Sequence, residues 1–176
     1  MRLLPFSKIF RLWAAALGMG LVAGCAHYRL GSAGQLPFQS IYIAVVYNQS
    51  LAAQVAEPAT RELRQTFLQE GNLQEANQAD ADVTLEVVLS DYQRVAASAQ
   101  VGNSLNAQSY ALTLTAKCKL VDNRNGNVYF KDRPVSVTEE AFVQGGVDFN
   151  ESEYQSIAKL ARDLAVKIKD TVVTTW

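Results

Sequence analysis

Tyr110-Ala-Leu-Thr-Leu-Thr-Ala-Lys-Cys-Lys-Leu120 decides the fold of this 176-residue chain. Tyr110, Leu112, Leu114, Ala116, Cys118 and Leu120 alternate with Thr113, Thr115, Lys117 and Lys119, and a two-residue period makes a strand with one apolar and one polar face. Such a strand needs neighbours for its backbone and a second layer over its apolar side. Downstream, Asp122-Asn-Arg-Asn-Gly-Asn127 contains Asn125-Gly126, a pair that readily supplies φ > 0, so a further strand is expected from Val128. Upstream, Val83, Leu85, Val87 and Leu89 alternate with Thr84, Glu86 and Ser90, which predicts a strand over Val83–Tyr92. The intervening Gln93–Asn106, rich in Ala, Ser, Gln, Asn and Gly, reads as a mobile hairpin tip.

Working back from this meander, Ile41-Tyr-Ile-Ala-Val-Val-Tyr47 is β-branched and aromatic throughout, as a central strand covered on both faces would be. A helix is expected from about Val55 to Glu70, with Pro58 in its first turn, Ala59, Leu63 and Phe67 on one face, and Gly71-Asn72 as its stop. Leu73–Asp82 is polar, with at most a short strand at its start. A final helix is expected over Ser152–Val173, with Ser152 as N-cap and Tyr154, Ile157, Ala161, Leu164, Ala165, Ile168 and Val172 on its buried face. The order β-α-β-β-β-α predicts an α+β fold, a mainly antiparallel four-stranded sheet with two helices packed on it. Because the first helix is a crossover, the first strand can run parallel to a neighbour, through a right-handed connection.

The N-terminus carries an address. Arg2, Lys8 and Arg11 precede an eleven-residue apolar stretch, Leu12–Val22, too short to span the roughly 30 Å bilayer core. Val22-Ala23-Gly24-Cys25 closes it and resembles the lipobox of bacterial lipoproteins, which implies cleavage after Gly24, a diacylglycerol thioether on Cys25 and an acylated new amino group. Acyl chains of that number suffice for stable anchoring, and Ala26 after the cysteine favours the outer membrane under the sorting rule known for enteric bacteria. The expected organisation is a signal peptide at 1–24, an acylated N-terminus and tether at 25–37, and one α+β domain at 38–176. Loss of the signal leaves 13 basic and 17 acidic residues, a formal charge of −4, which argues against a general nucleic-acid binder. With Cys25 acylated, Cys118 has no intrachain partner; its place on the apolar face of a strand makes it a small buried hydrophobe, the alternative being a bond to another chain.

Catalytic constellations are not found. His27, the single histidine, lies two residues from the anchor, so metal binding and Ser-His-Asp or Cys-His chemistry lack a ligand or base. Gly145-Gly146 is followed by Val-Asp, and neither a P-loop nor a dinucleotide fingerprint occurs. Asp80/Asp82 and Glu151/Glu153 read as solvated turns and helix-start charges, and Glu139-Glu140 as adjacent strand residues on opposite faces. The expectation is a non-enzymatic protein without a cofactor or metal.

A basic cluster is the better site candidate. Pairing Leu120 with Val128 and Cys118 with Phe130 would set Lys117 opposite Lys131 and Lys119 opposite Tyr129, with Arg133 one step along and Arg124 in the turn. Like charges face to face need compensation. Glu86 or Asp132 can supply it internally; otherwise Lys117, Lys119, Lys131, Arg133 and Arg124 form a surface for a phosphorylated ligand or an acidic partner.

Several segments in order are similar to the lipopolysaccharide-assembly lipoprotein family, LptE: Cys25-Ala-His-Tyr-Arg-Leu-Gly31, Leu36-Pro37 before Ile41-Tyr-Ile-Ala-Val45, Glu62–Gly71 ending in Glu-Gly-Asn, Ala79-Asp-Ala-Asp-Val-Thr-Leu-Glu-Val87, Tyr110-Ala-Leu-Thr-Leu-Thr-Ala116, and Leu120-Val-Asp followed by Gly126-Asn-Val-Tyr129. The resemblance covers nearly the whole mature chain and implies an outer-membrane lipoprotein that plugs the lumen of a large β-barrel partner, LptD, assists its assembly and binds lipopolysaccharide. Beyond Arg94 no Lys or Arg precedes the tyrosine-led strand, where better-known members place a basic residue. Activators of peptidoglycan synthases and secretion-pore subunits of the curli type share an exported, acylated α+β domain and are the alternative; the short tether, His27 to about Pro37, argues against a spanning activator.

Overall fold

The stretch Tyr110–Leu120 lies inside β5, the longest strand of a mixed sheet. The computed structural model describes residues 36–69, 71, 73–100, 103–142 and 149–174. The signal at 1–24, Cys25, His27, the tether up to residue 35, Asn72 and Gly145-Gly146 lie outside them. In chain order the elements are β1 (Ser40–Ile43), β2 (Tyr47–Asn48), α1 (Ala56–Leu68), β3 (Gln74–Glu75), β4 (Val83–Gln100), β5 (Asn103–Asp122), β6 (Val128–Phe142) and α2 (Phe149–Val173). All fall within one compact unit, residues 34–176.

The sheet runs β3-β1-β4-β5-β6, with β2 also pairing β4. β4, β5 and β6 form the expected antiparallel meander, whereas β1 lies parallel to β3 and β4, and β2 parallel to β4. Among the described residues the architecture is therefore α+β with two helices, but the sheet is mixed and has six strands rather than four mainly antiparallel ones. Crossover α1 accounts for the parallel pairs, since a helix returns the chain to the end where its first strand began.

One face of this sheet is covered. Ile41 and Ile43 in β1, Val83 to Leu89 at alternate positions in β4, and Leu112 to Leu120 at alternate positions in β5 are buried against α1 and α2. Ile41–Tyr47 is consequently not a strand apolar on both sides: it breaks into β1 and β2, with Val46 buried and Val45 and Tyr47 exposed. From α1 the expected Ala59, Leu63 and Phe67 enter the core, and Pro58 sits in the first turn, where no intrahelical N–H is needed. Thr60 couples helix to sheet, its hydroxyl accepting the Val46 N–H at 3.0 Å while donating to the Ala56 carbonyl.

Three further expectations change. α2 begins at Phe149, so Ser152 is an interior residue rather than an N-cap; Leu160 joins Ala161, Leu164, Ala165, Ile168 and Val172 in the core, while Tyr154 is 65% exposed. Gln93–Asn106 is not all loop, because β4 runs to Gln100 and β5 starts at Asn103. Ala, Ser, Gln and Asn are weak strand formers, but backbone pairing to a neighbouring strand overrides that preference, and Ser98 and Ser109 add an Oγ–Oγ hydrogen bond of 2.7 Å. The third change is the β5–β6 register. Val121 faces Val128, Leu120 faces Phe130, Cys118 faces Arg133 and Lys117 faces Pro134, because β6 gains a residue twice. Asp132, at φ 53°, lies in the second irregularity.

Candidate functional site

The end of the sheet where β1 enters and the β5–β6 turn closes is built around one carboxylate. Asp122 is 1% exposed. Its oxygens accept from the Arg124 N–H (2.9 Å), Arg124 Nε (3.0 Å) and Nη2 (2.7 Å), and Tyr129 Oη (2.8 Å). The Arg124 hydrogen bonds hold its pKa well below the usual carboxylate range despite burial. Arg124 also reaches Asp82 at 3.8 Å and donates to the Pro37 carbonyl at 3.2 Å. Asp82 in turn accepts the N–H groups of Gln39 (2.8 Å) and Ser40 (3.0 Å), contacts that lower its pKa, the Gln39 bond most of all. Phe38 is buried against Tyr129, ring centroids 5.9 Å apart. Residues 37–40 are thus clamped where the chain enters the sheet.

The sequence placed Arg124 in the basic cluster and read Asp82 as a solvated turn, missing Asp122 entirely. The two-residue spacing of Asp122 and Arg124 within a turn was the available signal, since short polar side chains in turns bond nearby backbone.

At the helix-covered side, Tyr92 Oη donates to Glu153 at 2.6 Å and Arg94 meets the same carboxylate at 3.3 Å. Burial and the Glu153 bond raise the Tyr92 pKa. Leu51, 91% exposed, Tyr154 and Ile157 line an adjoining groove of about 590 Å³. Glu139 takes Lys159 Nζ at 2.6 Å, a bond that raises the lysine pKa. Glu153 and Glu139 are therefore partners of strand and helix residues rather than only solvated ends; Glu151 accepts from Gln155 at 3.2 Å and Glu140 from the Ser109 hydroxyl.

The uncovered sheet face is polar. Thr113 and Thr115 of β5 meet Thr138 and Ser136 of β6 at 2.9 Å each, and Lys119 pairs with Glu86 of β4 at 3.2 Å, the internal compensation that was one of the two alternatives for it. Lys117 lies on this face between Val88 and Pro134, not opposite Lys131. Arg133 shares the Cys118 side and stacks over Phe130 at 5.4 Å, Lys131 is exposed in the irregular part of β6, and Arg124 belongs to the clamp. The structure brings Lys117 and Lys119 together on one face and sets Arg133 and Arg124 apart from them, while Lys131 lies in the irregular segment across from Lys119. Above them, Val95–Ala116 is a run of 22 residues without a charge, at the opposite end of the meander from the clamp. Cys118 is buried, and burial pushes its thiol up to about 12. Among the described residues no acidic, His or Cys group could hold a metal, and no helix is long and apolar enough to cross a membrane.

The fold is one found in bacterial lipoproteins of known structure. Lipoprotein B of Nitrosomonas europaea is 15% identical, with a TM-score of 0.54 over 81% of this chain and 87% of that one. A minor lipoprotein of Acinetobacter baumannii is 18% identical, TM-score 0.52, covering 78% and 92%. A Xanthomonas campestris protein is 15% identical, TM-score 0.51, covering 80% and 86%. No curated protein matches the chain. The family model for lipopolysaccharide assembly, LptE, matches residues 38–172, and the chain belongs to that family. Its role lies in lipopolysaccharide assembly, the work of a non-enzymatic family.

Proposed function

We propose that this protein is an acylated outer-membrane lipoprotein that plugs and assists a large LptD-like β-barrel in placing lipopolysaccharide. The observation that carries the proposal is the family match across residues 38–172. Cleavage at Gly24 and acylation of Cys25 leave a tether whose extended reach to Pro37 is about 40 Å. The clamp on residues 37–40 fixes where that tether joins the body. The β4–β5 hairpin leaves the opposite end, and the 18 residues of β4 run about 60 Å at ~3.3 Å each. A clamp at one end of the meander and a hairpin of small uncharged residues at the other suit the lumen of a barrel.

Lipopolysaccharide is anionic, and the proposed contacts are the basic residues. Lys117 and Lys119 on the open face come first, and Lys131, Arg133 and Arg124 stand at the edge and turn.

Extraction of the full chain in mild detergent, with mass spectrometry of the intact protein and its companions, tests the proposal. Expected are acyl mass on a chain beginning at Cys25 and a one-to-one complex with a large outer-membrane barrel. Capture with a peptidoglycan synthase, or a homo-oligomeric ring, overturns it.

A further inference from the structure

We propose that the outer edge of β6, from Ser136 to Phe142, is a strand-addition site for an extended, basic peptide segment of a partner protein. β6 ends the sheet, and among the described residues no strand pairs with its outer side. Lys167 Nζ donates to the Ser136 carbonyl at 2.7 Å, so that carbonyl faces away from β5. The hydroxyl contacts Thr115–Ser136 and Thr113–Thr138, at 2.9 Å, agree with close pairs whose backbone groups point outward. Because strand geometry repeats every two residues, Thr138 and Glu140 also turn both N–H and C=O outward, where no described residue meets them.

Native proteins blunt exposed strand edges with Lys, Pro and bulges. β6 does this only in its first half, where Lys131, the φ 53° residue Asp132, Arg133 and Pro134 lie. From Val135 to Phe142 it has neither Lys, Arg nor Pro, and Lys167 covers a single carbonyl. A groove of about 410 Å³ runs beside this half, whose charges are Glu139 and Glu140, walled by Glu140 and by Phe142, 51% exposed, on one side and by Ser152, Gln155, Ser156 and Lys159 of α2 on the other, the Lys159 charge being taken up by Glu139. It can take alternate side chains of an added strand, as in other β-augmentation sites. Charge selects the occupant. Glu139 is matched by Lys159, whereas Glu140 meets the Ser109 hydroxyl and no described cation, so a basic side chain opposite Glu140 complements the edge.

The site does not depend on the barrel proposal and is tested without it. The probes are the heptapeptide Thr-Val-Lys-Val-Lys-Val-Thr and its counterpart with Glu for Lys, added to the full chain in detergent while backbone amide exchange is followed. The Lys peptide is expected to slow exchange at Thr138 and Glu140 at least tenfold and to bind at least tenfold more tightly than the Glu peptide. Thr138→Pro removes an outward N–H that β5 does not use, so the variant keeps its fold and loses the protection. Should it fail to fold, Glu140→Lys supplies the second arm, with preference reversed toward the Glu peptide. Unchanged exchange at Thr138 and Glu140 under saturating Lys peptide, or equal binding of both peptides, overturns the site.

Discussion

Arg124 Nη2 lies 2.7 Å from the buried Oδ2 of Asp122 and 3.2 Å from the carbonyl of Pro37, so one guanidinium joins the β5–β6 turn to the chain entering β1. The folded Asp122 and Asp82 both titrate below the ordinary carboxylate value of 3.8. A depressed folded pKa gives stability that is fully present above the unfolded value and lost as pH falls from there through the folded value. Thermal melts between pH 7 and pH 2 should therefore show a steep acid limb below about pH 4. Asp122→Asn is expected to lower stability at pH 7 and to flatten that limb; a limb of unchanged steepness would remove Asp122 as its source.

Cys118 behaves as a core methylene with a sulfur on it. Its thiol, pushed up to about 12 by burial, carries almost no thiolate at pH 8 and has no access to reagent. Alkylation by iodoacetamide at pH 8 should proceed only as fast as the protein opens, accelerating with denaturant. Cys118→Ser places an unmatched hydroxyl in the core and is expected to cost about 1–3 kcal/mol by urea unfolding. Rapid labelling of the folded protein is the result that contradicts burial.

The phase of α2 makes a paired test. Leu160 faces the core and Tyr154 faces solvent. Leu160→Ala should cost about 2–5 kcal/mol, and Tyr154→Ala stays within about 0.5 kcal/mol as a surface change. Equal losses in urea unfolding would place the helix on the wrong face.

The core strands were legible because their side chains alternate. Leu112–Leu120 carries an unbroken two-residue period and Val83–Leu89 one interrupted only at Val88, and one covered face follows from them. Pairing across the β5–β6 turn was not legible, since the residues added at Tyr129 and Asp132 leave the apolar pattern nearly intact while shifting every opposite partner. Lys117 against Lys131 was an artefact of an ideal ladder. The upper hairpin was hidden for another reason: Ala, Ser and Gln have no local preference for strands, and only the neighbouring strand supplies one. Asp122 escaped notice because its meaning lies in contacts with Arg124, Tyr129 and the segment at Pro37, which no local window contains.

Lys117 and Lys119 share one face of β5 but differ in what opposes them, and charge reversal should separate their roles. Lys119→Glu sets a carboxylate directly against Glu86, a like-charge cross-strand pair, and should cost up to about 1 kcal/mol, less at high salt because both groups are partly exposed. Lys117→Glu meets only Val88 and Pro134, so its stability change should stay within about 0.5 kcal/mol. If the open face contacts lipopolysaccharide phosphates as proposed, Lys117→Glu nevertheless weakens capture on lipopolysaccharide-coated beads severalfold. Lysine-to-glutamine at the same position should fall between, because it removes a charge without adding the opposite one. Wild-type capture by a well-folded Lys117→Glu chain takes Lys117 out of the ligand surface and leaves the edge and turn residues Lys131, Arg133 and Arg124 to be tested in the same way.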